Sequence, residues 1–138
     1  MRRFRNILAI YHDQIGADDV FVQSVALARA NGAKLTLIDV VPDRYTTPSG
    51  IKEREKRLRR LLPALAAEGV TDARVVVLPG TPFLEVIQQV MRNEHDLVVT
   101  CPDEASSLQG FYMGSTTTHL VRKCPCPVWI VKPNRDDR

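Results

Sequence analysis

Residues 73–93, ARVVVLPGTPFLEVIQQVMRN, decide the fold class. A β-branched apolar run from Ala73 to Leu78 breaks at Pro79-Gly80-Thr81-Pro82, and apolar residues then recur at helical spacing as far as Asn93. The pattern predicts a strand, a turn with Thr81 as N-cap and Pro82 at the first helical position, and a helix. A strand that is apolar throughout and feeds a helix belongs to a parallel sheet with helices on both faces, since a half-solvated strand would alternate.

The same alternation extends in both directions. Toward the N-terminus, Asn6–Tyr11 (NILAIY) and Lys34–Val41 are further apolar runs, and Asp19–Asn31 lies between them with helical periodicity and an Asn31-Gly32 stop. Ile51–Glu68 predicts the longest helix, with Pro63 kinking or restarting it. Pro42–Gly50, with its two prolines, reads as a loop. Toward the C-terminus, Leu97–Thr100 is a strand, Cys101–Gly114 a long loop, Ser115–Lys123 a helix and Val128–Val131 a last strand. The order β-α-β-α-β-α-β-α-β implies an open, doubly wound five-stranded parallel sheet. Ligands of such sheets bind at the carboxyl ends of the strands, which directs attention to Tyr11–Asp13, Val41–Asp43 and Cys101–Ser115.

Composition bounds the function. At 138 residues and 44% hydrophobic content, one domain spanning residues 1–138 is expected, with a core that needs no disulfide or structural metal. A formal charge of +3 without a dense basic block does not indicate nucleic acid. The run KEREKRLRR (52–60) interleaves Glu53 and Glu55 with the bases and reads as a solvated helix face. The apolar stretch Ile7–Ile10 is far too short for a membrane span or a signal peptide, so a cytoplasmic protein is expected. Three cysteines cannot all pair within the chain, which favours reduced thiols. Cys124-Pro125-Cys126-Pro127 has C-x-C spacing, matching neither a C-x-x-C redox motif nor a zinc knuckle, and reads as structural thiols in a turn stiffened by proline. No metal site is expected.

Gly114-Ser115-Thr116 opens the last helix, where unpaired backbone N–H groups and the helix dipole suit an anion such as phosphate. Simple capping by Ser115 and Thr116 accounts for the same residues, and both readings stay open. His12, beside Asp13, is the histidine placed where strand ends could do chemistry, and imidazole titrates near neutral pH. P-loop, dinucleotide-binding and nucleophile-elbow motifs are all missing, as is any nucleophile–base pair, so an enzyme is not expected.

Taken together, NILAIY, GAKLTLIDVVP, the GTP before the third helix, HDLVVT and the ending GSTTTHLVRKCPCPVWIVKP resemble the universal stress protein family over nearly the whole chain. The ending is most similar to that of divergent members that carry two such domains. The resemblance implies the adenine nucleotide α-hydrolase-like layout, with the strands in the order 3-2-1-4-5, and a binding or signalling role in stress response. It also implies ATP or AMP as ligand, with Mg²⁺ alongside the nucleotide, and a homodimer built through Val128, Trp129, Ile130 and Val131. The nucleotide-binding loop of the family reads G-x-x-G, a spacer, then G-[S/T], and its spacing falls here on Cys101, Glu104, Gly114 and Ser115. The last two positions keep the pattern. Cys101 and Glu104 replace the glycines that let backbone wrap phosphates, and Glu104 brings a negative charge. The aspartate that ends strand one in the family falls on His12, and the adenine-contacting position on Val41. Two functions are therefore expected to compete: an adenine-nucleotide module working through a degenerate motif, and a dimeric interaction protein independent of any ligand.

Overall fold

The computed structural model describes residues 3–12, 17–102 and 115–132. Five strands, β1 (Asn6–Ile10), β2 (Lys34–Val41), β3 (Ala73–Pro79), β4 (Leu97–Thr100) and β5 (Val128–Ile130), form one sheet in the order β3-β2-β1-β4-β5. Every pairing is parallel, and Ala9 of β1 pairs with Leu37 on one side and Val99 on the other. The expected topology is therefore the observed one.

Helices α1 (Ala17–Asn31), α2 (Pro48–Arg59), α3 (Leu62–Ala67), α4 (Pro82–Asn93) and α5 (Ser115–Lys123) cover the two faces. Alternate residues of each strand divide between two cores, as the pleat requires. Ile7, Ala9, Leu35, Leu37, Val41 and Val99 pack with α1 and α2, whereas Leu8, Ile38, Val40 and Val98 pack with α4 and α5. Because β1, β2 and β4 are buried on both sides, their sequences lack the apolar–polar alternation of a half-solvated strand.

Local chemistry sets the element ends. Gly32 takes φ +60 where α1 stops, a backbone state that glycine reaches without penalty. Gly80, at φ +146, turns the chain from β3 toward α4, and its N–H donates to the Val41 carbonyl (3.0 Å), tying the ends of β2 and β3 together.

Three details differ from the sequence reading. The segment expected to be loop through Gly50 is helical from Pro48, because Thr47 caps it by accepting the Gly50 N–H (3.1 Å) and Pro48 occupies the first turn. The segment expected to be the longest helix is not: it restarts at Pro63, as expected, because Pro63 has no N–H to give the Arg59 carbonyl, and the 15-residue α1 is longer than either piece. Thr81 occupies the N-cap position of α4 without a side-chain cap bond.

Candidate functional site

The carboxyl ends of β1, β2 and β4 lie side by side, and strand order reverses between β1 and β4. His12 follows β1 by two residues, Val41 ends β2, and Cys101 follows β4 directly. The start of α5 is brought to the same edge because Thr117 Oγ1, fully buried, donates to the Cys101 carbonyl (3.4 Å). Ser115 is exposed there, and its carbonyl accepts from His119 Nδ1 (2.6 Å) one turn later. The His119 ring stacks on Phe83 with centroids 4.3 Å apart, joining α5 to α4. Thr116 is half-buried beside it. Asp13, Glu104 and Gly114, three of the expected site residues, lie outside the described residues.

At the centre of this edge stands a residue that the sequence reading passed over. Asp39 lies within β2 and is 1% exposed. One carboxylate oxygen, Oδ1, accepts from His12 Nδ1 at 2.7 Å, and the other, Oδ2, accepts from the Arg54 guanidinium of α2 at 3.0 Å. A carboxylate only accepts, so Nδ1 is the protonated ring nitrogen of His12 in this contact. Burying an isolated carboxylate costs several kcal/mol, and two hydrogen-bonded donors on opposite oxygens offset that cost. The signal was present in the sequence as one acid inside the apolar run LTLIDVV, because a charged residue in a doubly buried strand must have partners.

A hollow of about 150 Å³ opens beside this cluster, lined by Tyr11, Asp39, Arg54, Arg57, Leu58 and Leu61. Val41 is 1% exposed and belongs to the core, so its side chain offers no open face. Cys101 is 4% exposed. A larger concavity of about 980 Å³ lies at the opposite, amino edge, among Arg3, Arg5, Lys34, Asp72 and Asp96. It is away from the switch point, and its Asp96 carboxylate is already used by the backbone N–H groups of Arg5 (2.8 Å) and Asn6 (3.0 Å). We therefore place the candidate site at the carboxyl edge.

His95, Cys124 and Cys126 occupy the amino edge. His95 sits in the turn before β4, as expected for a loop position, yet is only 5% exposed. Burial holds it below the ordinary imidazole range, against smaller upward pulls from the Asn6 backbone and Asp96. Among the described residues, no group of three or more His, Cys, Asp or Glu side chains could hold a metal, and no helix is long and apolar enough to cross a membrane.

Comparison with known proteins fits this geometry. The model of the universal stress protein family matches residues 3–132. The chain is 27% identical over 136 residues to a universal stress protein of Thermus aquaticus, covering 94% of this chain and 99% of that one. It is 35% identical over 82 residues to universal stress protein E of Salmonella typhi, a match spanning 59% of this chain but only 26% of that protein. Among solved structures, universal stress protein UspA from Lactobacillus plantarum superposes with a TM-score of 0.83 at 24% identity, over 95% of this chain and 99% of that one. A universal stress protein in complex with cAMP superposes at 0.78 with 17% identity, over 96% of this chain and all of that one. The chain belongs to the universal stress protein family.

Proposed function

From that membership, we propose that this chain is a cytoplasmic binding module of the stress response that holds an adenine nucleotide, ATP or AMP, at the carboxyl edge of its sheet. The observation that carries the reading is the placement of the α5 start against the end of β4, at the reversal of strand order and on the same edge of the sheet as the His12–Asp39–Arg54 cluster. First-turn N–H groups of α5 suit a phosphate, and Arg54 and Arg57 line the hollow beside Asp39 on the same edge of the sheet. The structural relative in complex with cAMP supports the ligand class. The Asp39 carboxylate is engaged on both oxygens, so a Mg²⁺ ion would be held through nucleotide phosphates and not through Asp39.

Thermal unfolding with ATP, ADP and AMP, each with and without Mg²⁺, tests this. A ligand at about a hundred times its Kd adds about 2.7 kcal/mol, so the melting temperature should rise and saturate. The rise should vanish in Ser115→Ala or Gly114→Ala. No shift at millimolar concentrations of all three nucleotides overturns the reading.

One observation favours a second reading, a ligand-independent dimeric interaction protein. Val41 is closed into the core, and a hollow of about 150 Å³ is smaller than an adenine nucleotide requires. In either reading we propose a homodimer through the edge strand. Trp129 is 44% exposed on β5, and an apolar sheet edge is a template for a second chain. Sedimentation at micromolar concentration should give a dimer, and Trp129→Glu should give a monomer that stays folded.

A further inference from the structure

The turn between α5 and β5 holds two cysteines whose arrangement exceeds a structural role. Cys124 Sγ and Cys126 Sγ lie 3.6 Å apart, in hydrogen-bonding contact. Both are half-buried, packed on the α4–α5 core from one side and reachable from the other, whereas Cys101 is buried at the far edge. The turn is anchored at its two ends. Cys124 N–H donates to the Leu120 carbonyl (2.9 Å), continuing α5, and the Pro127 carbonyl accepts from Val98 N–H (3.0 Å) of β4. Pro125 and Pro127 fix two backbone φ angles between those anchors, so the thiols are held together before any reaction.

We propose that Cys124 and Cys126 form a site of reversible oxidation, in which a hydroperoxide converts the dithiol to an intrachain disulfide. The electrostatics assign different roles to the two sulfurs. A hydrogen bond from Cys126 pulls Cys124 down to about 6, so that it is the thiolate at neutral pH. Cys126 is pushed up by that hydrogen bond, by burial and by the negative charges of Cys124 and Asp96, and it keeps its proton.

The chemistry balances in two steps. The Cys124 thiolate attacks the terminal oxygen of the hydroperoxide. An S–O bond forms, the O–O bond breaks, and the departing alkoxide or hydroxide takes a proton from water, leaving a sulfenic acid on Cys124. The Cys126 sulfur then attacks the sulfenic sulfur. The S–S bond forms, the S–O bond breaks, and hydroxide leaves with the Cys126 proton as water. The dithiol loses two electrons and the hydroperoxide gains them. A disulfide across one intervening proline closes a small, strained ring, which makes it easily reduced by an external thiol and so reversible.

The test uses the reduced full chain and stoichiometric hydrogen peroxide, read by intact mass and by differential alkylation. The expected product has lost the mass of two hydrogens, has Cys124 and Cys126 blocked and Cys101 still free, and returns to the starting mass with dithiothreitol. Cys101→Ser should leave this unchanged. Cys126→Ser should stop at sulfenic or higher acids on Cys124, and Cys124→Ser should react far more slowly. Circular dichroism checks that each variant is folded, and the unsubstituted chain decides the matter by itself if one is not. Preferential oxidation of Cys101, cross-linked dimers as the main product, or acids on the unsubstituted chain in place of the disulfide would each overturn the proposal.

Discussion

The two ends of the sheet handle polar groups in opposite ways. At the amino edge, His95 Nδ1 apart, they are closed on the fold itself: Asp96 accepts from the backbone of Arg5 and Asn6, Asn6 Nδ2 donates to the Asn93 carbonyl (2.8 Å), and Lys34 N–H donates to the Arg5 carbonyl (2.9 Å). At the carboxyl edge His12, after β1, and Arg54 of α2 converge on the buried Asp39 carboxylate of β2, and α5 begins at the same edge. Backbone satisfied by a neighbouring side chain holds the fold together without leaving capacity for a ligand. A charge cluster and a helix start on one edge have that capacity. The difference explains why the larger hollow, at the amino edge, is not the candidate site.

The strongest way to break this contrast is at Arg54. Removing it as Arg54→Met leaves Asp39 buried with His12 as its remaining partner in the cluster. Breaking a buried pair costs about 3–5 kcal/mol, and the partial exposure of Arg54 lowers the expectation to about 2 kcal/mol by chemical denaturation. The double variant Asp39→Asn with Arg54→Met should cost less than the two single changes summed, because the uncompensated charge is gone. Additive losses would mean that the two residues do not interact.

Asp96→Ala acts on the other edge. It removes the acceptor of two backbone hydrogen bonds and should cost about 1–2 kcal/mol while leaving nucleotide titration unchanged. An Asp96→Ala chain that lost a nucleotide response would erase the distinction between the edges.

The smallest effect is the pH dependence carried by His95. Its folded-state value lies below that of the unfolded chain, so unfolded molecules bind more protons in the interval between. Stability from this group is therefore complete above about pH 6.5 and declines as pH falls below that value. His95→Gln should flatten the acid side of the stability profile measured between neutral pH and pH 5. A profile identical to that of the unsubstituted chain would show that His95 is not the group responsible.

The topology was legible because β2 and β4 are buried on both faces and have no polar alternation to confuse them with half-solvated strands. Helix boundaries were less so: Thr47-Pro48 carried a capping signal, yet the density of turn residues around it argued for loop. The site was legible only as a place. Strand ends and Gly114-Ser115 marked the edge, but the pairing of His12 and Arg54 through Asp39 joins residues 27 and 15 positions apart from it, and no local spacing encodes such a contact. The contact of Cys124 with Cys126 was hidden for a different reason. C-x-C spacing places two thiols near each other, but whether the sulfurs face one another depends on how α5 and β4 anchor the turn.

The central claim is that the carboxyl edge, and not the amino edge, receives an adenine nucleotide. Backbone amide chemical shifts followed through titration with AMP and then ATP test it residue by residue. The account predicts saturable shifts at His12, Val41, Cys101, Ser115 and Thr116, with Arg5, His95, Asp96 and Cys124 unmoved. Shifts confined to the amino edge, or none at millimolar nucleotide, would contradict it.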